Sequence, residues 1–240
     1  MKPIGFSIGE KLGKLAAPAF YEKLVAHSVM QHRYTALKKA PTYSKREELW
    51  ASAVQHIGAT QDILFLEFGV WEGYSMRYFS KAFTSSDARF YGFDSFEGLP
   101  QAWEDKSTGA FSTKGAVPQI ADARTQFVKG WFQNSVPEFL KGRPKAPEKV
   151  LVHFDADLYS STLYLLHALA NYLPRYYFIF DEFPGDETRA LYNFEQSHGA
   201  TSRFFGKTDR SMQTFGLIEN SSVYEPEHLR ASEVMSASAG

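Results

Sequence analysis

From residue 62 onward, short apolar runs alternate with longer amphipathic segments, and this alternation constrains the fold more than any other property of the chain. Residues 63–68, 90–93, 126–129, 150–154 and 176–180 read as strands, separated by helical segments near 74–83, 132–140, 158–172 and 185–197. Strands alternating with helices predict an α/β fold, a parallel sheet with helices on both faces. Leu151-Val152 and Tyr177-Phe178-Ile179-Phe180 show no polar alternation, which fits strands buried on both sides. Two further strands, 202–205 and 213–218, lie too close together for a crossover helix and are expected to pair antiparallel. The expectation is a seven-stranded, mostly parallel sheet closed by a C-terminal hairpin.

The chain divides by composition into three parts: an N-terminal helical arm (1–58), the alternating domain (59–219), and a tail (220–240) rich in Ser, Glu and Ala. In the arm, Ser44 and Glu47 form a capping box ahead of Leu49, Trp50, Ala53, Val54 and Ile57 at helical spacing, and Gly58 closes the helix. A weaker helix is expected over 17–30, and Gly5, Gly9 and Gly13 mark a flexible start. The stretch 101–118 has the composition of a long loop, of the kind that often serves as a lid.

Composition narrows the chemistry. There is no cysteine, so thiolate metal sites and Cys nucleophiles are excluded, and any metal must be held by oxygen or imidazole. Twenty-six basic residues against 27 acidic ones give a net charge of −1, without the basic excess expected of a nucleic-acid binder. No stretch approaches the roughly 18 uncharged apolar residues of a spanning helix, and a cytoplasmic protein is expected. Aromatic residues make up 16% of the chain, enough to serve a buried core and to line a pocket as well.

In open α/β sheets ligands bind beyond the carboxyl ends of the strands. Those ends are acidic and glycine-rich: Glu67-Phe68-Gly69-Val70-Trp71-Glu72-Gly73-Tyr74-Ser75, Asp94-Ser95-Phe96-Glu97-Gly98, Asp155-Ala156-Asp157-Leu158-Tyr159, and Asp181-Glu182-Phe183-Pro184. The first has an acid and two glycines at a strand-to-helix turn but neither G-x-G-x-x-G nor a P-loop lysine, so no phosphate is obviously cradled. Asp94, ending the next strand, is placed to hydrogen-bond ribose hydroxyls, or simply to cap its turn. Together they suit a cofactor with an amino group and a ribose but no phosphate, as in S-adenosylmethionine.

The series LEFGVWEG, DSFEGLP, GWFQNSVP, FDADLYSST and FDEF, in that order over residues 62–197, resembles the macrocin/mycinamicin-type sugar O-methyltransferases, a branch of the class I methyltransferases with a Rossmann-like sheet. The resemblance implies that Glu67, Gly69 and Gly73, with Val70 and Ser75 of the same turn, hold the methionine moiety of the cofactor. It implies Asp94 at the ribose, Ser95 and Phe96 beside the adenosine, and Trp131 near the adenine. It also implies magnesium, with ligands Asp155, Asp181 and Glu182, although the family pair is usually Asp-Asp where this chain has Asp181-Glu182.

The residues speak to that metal independently. Three carboxylates at neighbouring strand ends repel one another, and a hard divalent cation removes the cost; capping of the following helices is the competing role. Asp155, which also borders the cofactor, is the candidate to assist deprotonation. His153 projects to the same side of its strand and is either a base or a satisfied core residue, and Asp157 either joins the site or caps a helix. The expected function is magnesium-dependent methylation of a hydroxyl on a small molecule such as a natural-product sugar. Related N-terminal segments imply a homo-oligomer. Alternatives are a catechol-type methyltransferase, a non-catalytic adenosylmethionine-binding protein, and an NAD-dependent oxidoreductase.

Overall fold

The computed structural model describes residues 18–141 and 149–220. The expected glycine-rich start and C-terminal tail lie outside the described residues, apart from Asn220. An N-terminal helix, α1 (Pro18–His32), and a short 3-10 turn (Thr35–Lys39) lead into β1 (Thr42–Tyr43) and α2 (Arg46–Ile57). The alternating body follows as β2 (Ile63–Phe68), α3 (Tyr74–Ala82), β3 (Arg89–Asp94), β4 (Thr125–Lys129), α4 (Phe132–Leu140), β5 (Lys149–Phe154), α5 (Tyr159–Ala170) and β6 (Arg175–Phe180). A π-type turn (Phe183–Glu187) enters α6 (Thr188–His198), and β7 (Thr201–Thr208) and β8 (Thr214–Glu219) close the chain.

The sheet has eight strands in the order β1-β7-β8-β6-β5-β2-β3-β4, one more than expected. The addition is β1, two residues pairing parallel to the outer strand β7 at Thr42 and Lys207. A run this short carries no period for a sequence reading to detect. Strand β8 pairs antiparallel with both β6 and β7, as the close spacing required, and the other pairings are parallel. The sheet therefore draws on residues before 58. The buried face of α2, from Leu49 to Ile57, also packs under it.

The capping box is displaced by one residue. Lys45 takes the extended N-cap conformation, so Glu48 rather than Glu47 is the third helical residue, and its Oε2 accepts from the Ser44 N–H at 3.1 Å and hydroxyl at 3.0 Å. Glu47 instead accepts from the Tyr74 hydroxyl at 2.9 Å.

One row of residues across the sheet positions everything that follows. Register places Phe93, Phe68, Phe154 and Phe180 side by side on β3, β2, β5 and β6, all of them buried. Their rings lie 4.8, 6.2 and 4.9 Å apart along the row, with interplanar angles of 25°, 27° and 24°. Side chains alternate along strands, so the next residue on each strand starts a second row facing the other way, composed of Asp94, Gly69, Asp155 and Asp181. Backbone bonds lock that second row: Gly69 N–H donates to Phe93 O at 3.0 Å, Asp155 N–H to Phe68 O at 2.9 Å, and Asp181 N–H to Phe154 O at 3.0 Å. The phenylalanine row is the apolar floor that holds three acids in line at the edge of the cleft.

Candidate active site

Gly69 stands between Asp94 and Asp155, and its place in the row explains the residue type. Its φ is +92°, and a Cβ there would lie 1.7 Å from the Asp155 carbonyl oxygen. The glycine is thus required less by the turn itself than by the approach of β5. Asp94 is committed to its surroundings: Oδ2 accepts from the N–H groups of Val70 at 2.8 Å and Trp71 at 2.9 Å, and Oδ1 from Phe96 N–H at 2.7 Å. Trp71 and Phe96 are non-glycine residues at φ of 48° and 60°, and the Asp94 bonds hold both strained positions in place. Asp94 therefore caps its turn, as the simpler reading had it, and Oδ1 keeps a lone pair for a ligand hydroxyl.

A cavity of about 370 Å³ opens over this row. Gly69, Val70, Asp94, Ser95, Trp131 and Asp155 line it, which brings six of the ten expected cofactor residues to one place. The other four do not line it. Glu67 is fully buried and Ser75 nearly so, their side chains bonded to each other, Phe96 is in the core, and Gly73 is the left-handed N-cap of α3. The reason is the pleat: Glu67 lies two positions before Gly69, beneath the turn rather than on it. Sequence reasoning missed Arg46, whose guanidinium lies 4.9 Å from the Tyr74 ring and lines the same cavity, together with Trp71. Trp71, Phe111 and Trp131 are the exposed aromatics of this wall.

Below the row lies a buried polar chain. The Ser75 hydroxyl donates to Glu67 Oε1, which also faces His153 Nδ1 at 2.7 Å, while His153 Nε2 approaches Asp181 Oδ1 to 3.6 Å. His153 is therefore held at Nδ1 by Glu67, while its Nε2 is buried without a hydrogen bond and faces the Asp181 carboxylate. Burial favours its neutral form, but the carboxylates of Asp181 and Glu67 outweigh burial and carry its pKa up to about 10. Burial first, and then the neighbouring Asp181 charge, raises Asp155 well above the usual carboxylate range. Asp157 is pushed up to about 7 by burial and by Glu182 and Asp181, and burial and Asp181 raise Glu182 and Glu187 as well.

A cleft in which burial and like charge raise Asp155, Asp157 and Glu182 together matches the donor set of a divalent cation. Donor atoms of His153, Asp155 and Asp181 lie within 4.8 Å of one another. Glu182, expected as the third ligand, is outside that group and sits on the cleft wall. Asp155 and Asp181 are thus the oxygen donors in reach of each other, with His153 engaged by Glu67 on its far side. Asp157 does not cap α5, whose cap residue Leu158 has no side-chain bond; Tyr159 N–H goes to Asp186 Oδ2 at 3.3 Å.

A second, larger cavity of about 920 Å³ adjoins the first and shares Asp157 and Glu182 with it. Its walls are α1 (Glu22, Lys23, Ala26, His27, Met30), the 101–105 segment, and the π-type turn. The long loop expected as a lid contributes to both cavities. It is tied down by Leu99 N–H to Ala110 O and Gly109 N–H to Leu99 O, each 2.9 Å, and by Gly115 N–H to Phe96 O at 2.8 Å.

A doubly wound sheet with a terminal antiparallel hairpin and an acidic cleft at its carboxyl edge is the architecture of the Rossmann-like methyltransferases, and residues 66–183 match the family model described as a methyltransferase domain. Among solved structures, the chain is similar to CalS11, the calicheamicin methyltransferase, at 18% identity with a TM-score of 0.53, covering 84% of this chain and 93% of that one. It is also similar to the O-methyltransferase NovP at 20% identity and a TM-score of 0.48, covering 69% and 75%. An O-methyltransferase from Bacillus cereus in complex with SAH is 13% identical with a TM-score of 0.48, covering 89% and 97%. No curated protein matches the chain in sequence. Among the described residues no helix is long and apolar enough to cross a membrane.

Proposed function

We propose that this protein is an S-adenosylmethionine-dependent methyltransferase acting on oxygen, methylating a hydroxyl of a small molecule of the size and polarity of a sugar-bearing natural product, with magnesium held at Asp155 and Asp181 and Glu182 beside them. The observation that carries the reading is the meeting of two cavities at one acidic cleft. The smaller is lined by the glycine turn and Asp94, and the larger lies across Asp157 and Glu182. A donor in the first and an acceptor in the second would meet over Asp155 and Asp181, as in-line transfer requires.

When bound, S-adenosylmethionine would supply an electrophilic methyl group, and a cation held by Asp155 and Asp181 would lower the pKa of the acceptor hydroxyl. The protein's own residues do the positioning. Asp94 holds the 70–71 turn and offers Oδ1 to a ribose hydroxyl, and Arg46 stands where a carboxylate of the cofactor can be met. Trp71 and Trp131 offer flat apolar faces to a purine. Asp155, at the centre of the row, is placed to accept the hydroxyl proton. The larger cavity sets nine charged or polar residues, among them Glu22, Lys23, Glu104 and Asp186, beside the apolar Ala26, Met30, Leu158 and Pro184, and Trp103 is its one Phe, Tyr or Trp; that density of hydrogen-bonding groups favours a polyhydroxylated acceptor over a flat phenol.

Titration calorimetry with S-adenosylmethionine and with NADH tests the cofactor, and binding of NADH alone overturns the proposal. Methyl transfer to a panel of glycosides and catechols, with magnesium or with a chelator, tests the rest. Turnover of glycosides that stops in chelator is the expected result. Turnover of catechols alone assigns the phenol class instead, and undiminished activity in chelator removes the metal.

A further inference from the structure

Asp181 is held from a direction that the acidic motifs do not reveal. The turn between β7 and β8 bends through Arg210 and Ser211, two successive non-glycine residues at φ of 57° and 59°. Four bonds fix that bend. Thr208 N–H donates to Gln213 O at 2.9 Å, Gln213 N–H to the Thr208 hydroxyl oxygen at 2.9 Å, Met212 N–H to Asp209 O at 3.3 Å, and Phe183 N–H to Met212 O at 2.7 Å. The last ties the turn to the chain just after Asp181. The result is that the buried Gln213 side chain reaches Asp181, with Nε2 donating to Oδ1.

His153 Nε2 approaches the same oxygen from the other side, at 3.6 Å. Both contacts fall on Oδ1, and no side-chain bond or ion pair among the described residues reaches Oδ2. Gln213 Oε1, meanwhile, is buried without a hydrogen-bond partner. A side chain chosen for stability would not leave that atom unsatisfied, whereas one retained for its effect on a neighbour would.

We propose that Gln213 is a positioning residue for cation binding: its amide fixes the Asp181 carboxylate through Oδ1 and leaves Oδ2 to the cleft. The inference rests on the cation reading of the preceding section and gives the C-terminal hairpin a part in it. Groups that orient a metal-binding carboxylate typically contribute 10- to 100-fold to affinity.

The test is Mn2+ binding followed by electron paramagnetic resonance, on wild type and on Gln213→Leu, alongside calorimetry with S-adenosylmethionine and thermal melting. The expected result is Mn2+ affinity weakened about tenfold or more, cofactor affinity within about twofold, and a melting temperature no lower than wild type, since leucine leaves no buried amide unsatisfied. Should Gln213→Leu fail to fold, Gln213→Met carries the same comparison with a more adaptable side chain. A folded variant with wild-type Mn2+ affinity overturns the proposal, as does failure of both variants to fold, which would make Gln213 structural. Wild type that binds the cofactor but no Mn2+ overturns the cation reading itself, and this inference with it.

Discussion

Replacing Gly69 with alanine is the sharpest perturbation of the row on which the site is built. The new Cβ would lie 1.7 Å from the Asp155 carbonyl oxygen, whereas real Cβ contacts essentially never fall below 3.0 Å. The carboxyl ends of β2 and β5 would have to part by about 1.3 Å, the difference between those distances. That opening breaks the 2.9 Å bond from Asp155 N–H to Phe68 O in a buried setting, at a cost of about 1–3 kcal/mol. A left-handed alanine adds about 1–2 kcal/mol. The expected loss is therefore about 2–5 kcal/mol, or roughly 4–20 °C in melting temperature for a chain of this size. Gly109→Ala is the control: its φ is +83° and nothing lies within 4 Å of its Cβ position, so only the backbone component remains. Urea unfolding of the two variants separates the effects. If Gly69→Ala falls within about 0.5 kcal/mol of Gly109→Ala, the close approach of β5 is not what demands the glycine.

Asp94→Asn turns an amide N–H toward at least one of the three backbone donors now satisfied by the carboxylate, and should weaken S-adenosylmethionine at least about tenfold by calorimetry; unchanged affinity would remove Asp94 from the cofactor site. Trp50 is buried among Tyr74, Tyr78 and Phe79 with ring centroids 5.8, 5.1 and 5.3 Å away, so Trp50→Ala should cost about 3–5 kcal/mol in urea unfolding. A loss under about 1 kcal/mol would mean that α2 is not an integral part of the core. Arg124 donates to the carbonyls of Ser80, Phe83 and Ser85 and pairs with Asp122 at 2.6 Å, joining the end of α3 to the start of β4. Arg124→Ala should cost about 2–3 kcal/mol, and Arg124→Lys should recover little of it, because an ammonium cannot span the same fork. Full recovery by lysine would show that the charge matters and the hydrogen-bonding geometry does not.

Local pattern was enough for the strands and helices of the alternating body. Strand β2 and helix α4 fall where periodicity puts them, because a strand buried on both faces and an amphipathic helix each write their environment into a few consecutive residues. The acids at the strand ends were legible for the same reason, since a residue closing an apolar run must lie at an edge. That they would repel one another was legible too, but which of them meet was not. That Asp155 faces Asp181, that Glu67 sits beneath the turn bonded to His153, and that Glu182 stays on the wall depend on register between strands far apart in the chain. The aromatic content divides in the same way: most of it fills the two sides of the sheet, and three of the exposed rings, Trp71, Phe111 and Trp131, line the smaller cavity rather than the larger one proposed to take the acceptor. Gln213 marks the limit of local reading. Nothing in its neighbours in sequence sets it apart, and it meets Asp181 because a hairpin 32 residues later folds back beside β6 and a strained turn aims its amide. Pleat and helical period are properties of consecutive residues, whereas a binding site is made by side chains from several strands, and their convergence is fixed when the sheet assembles.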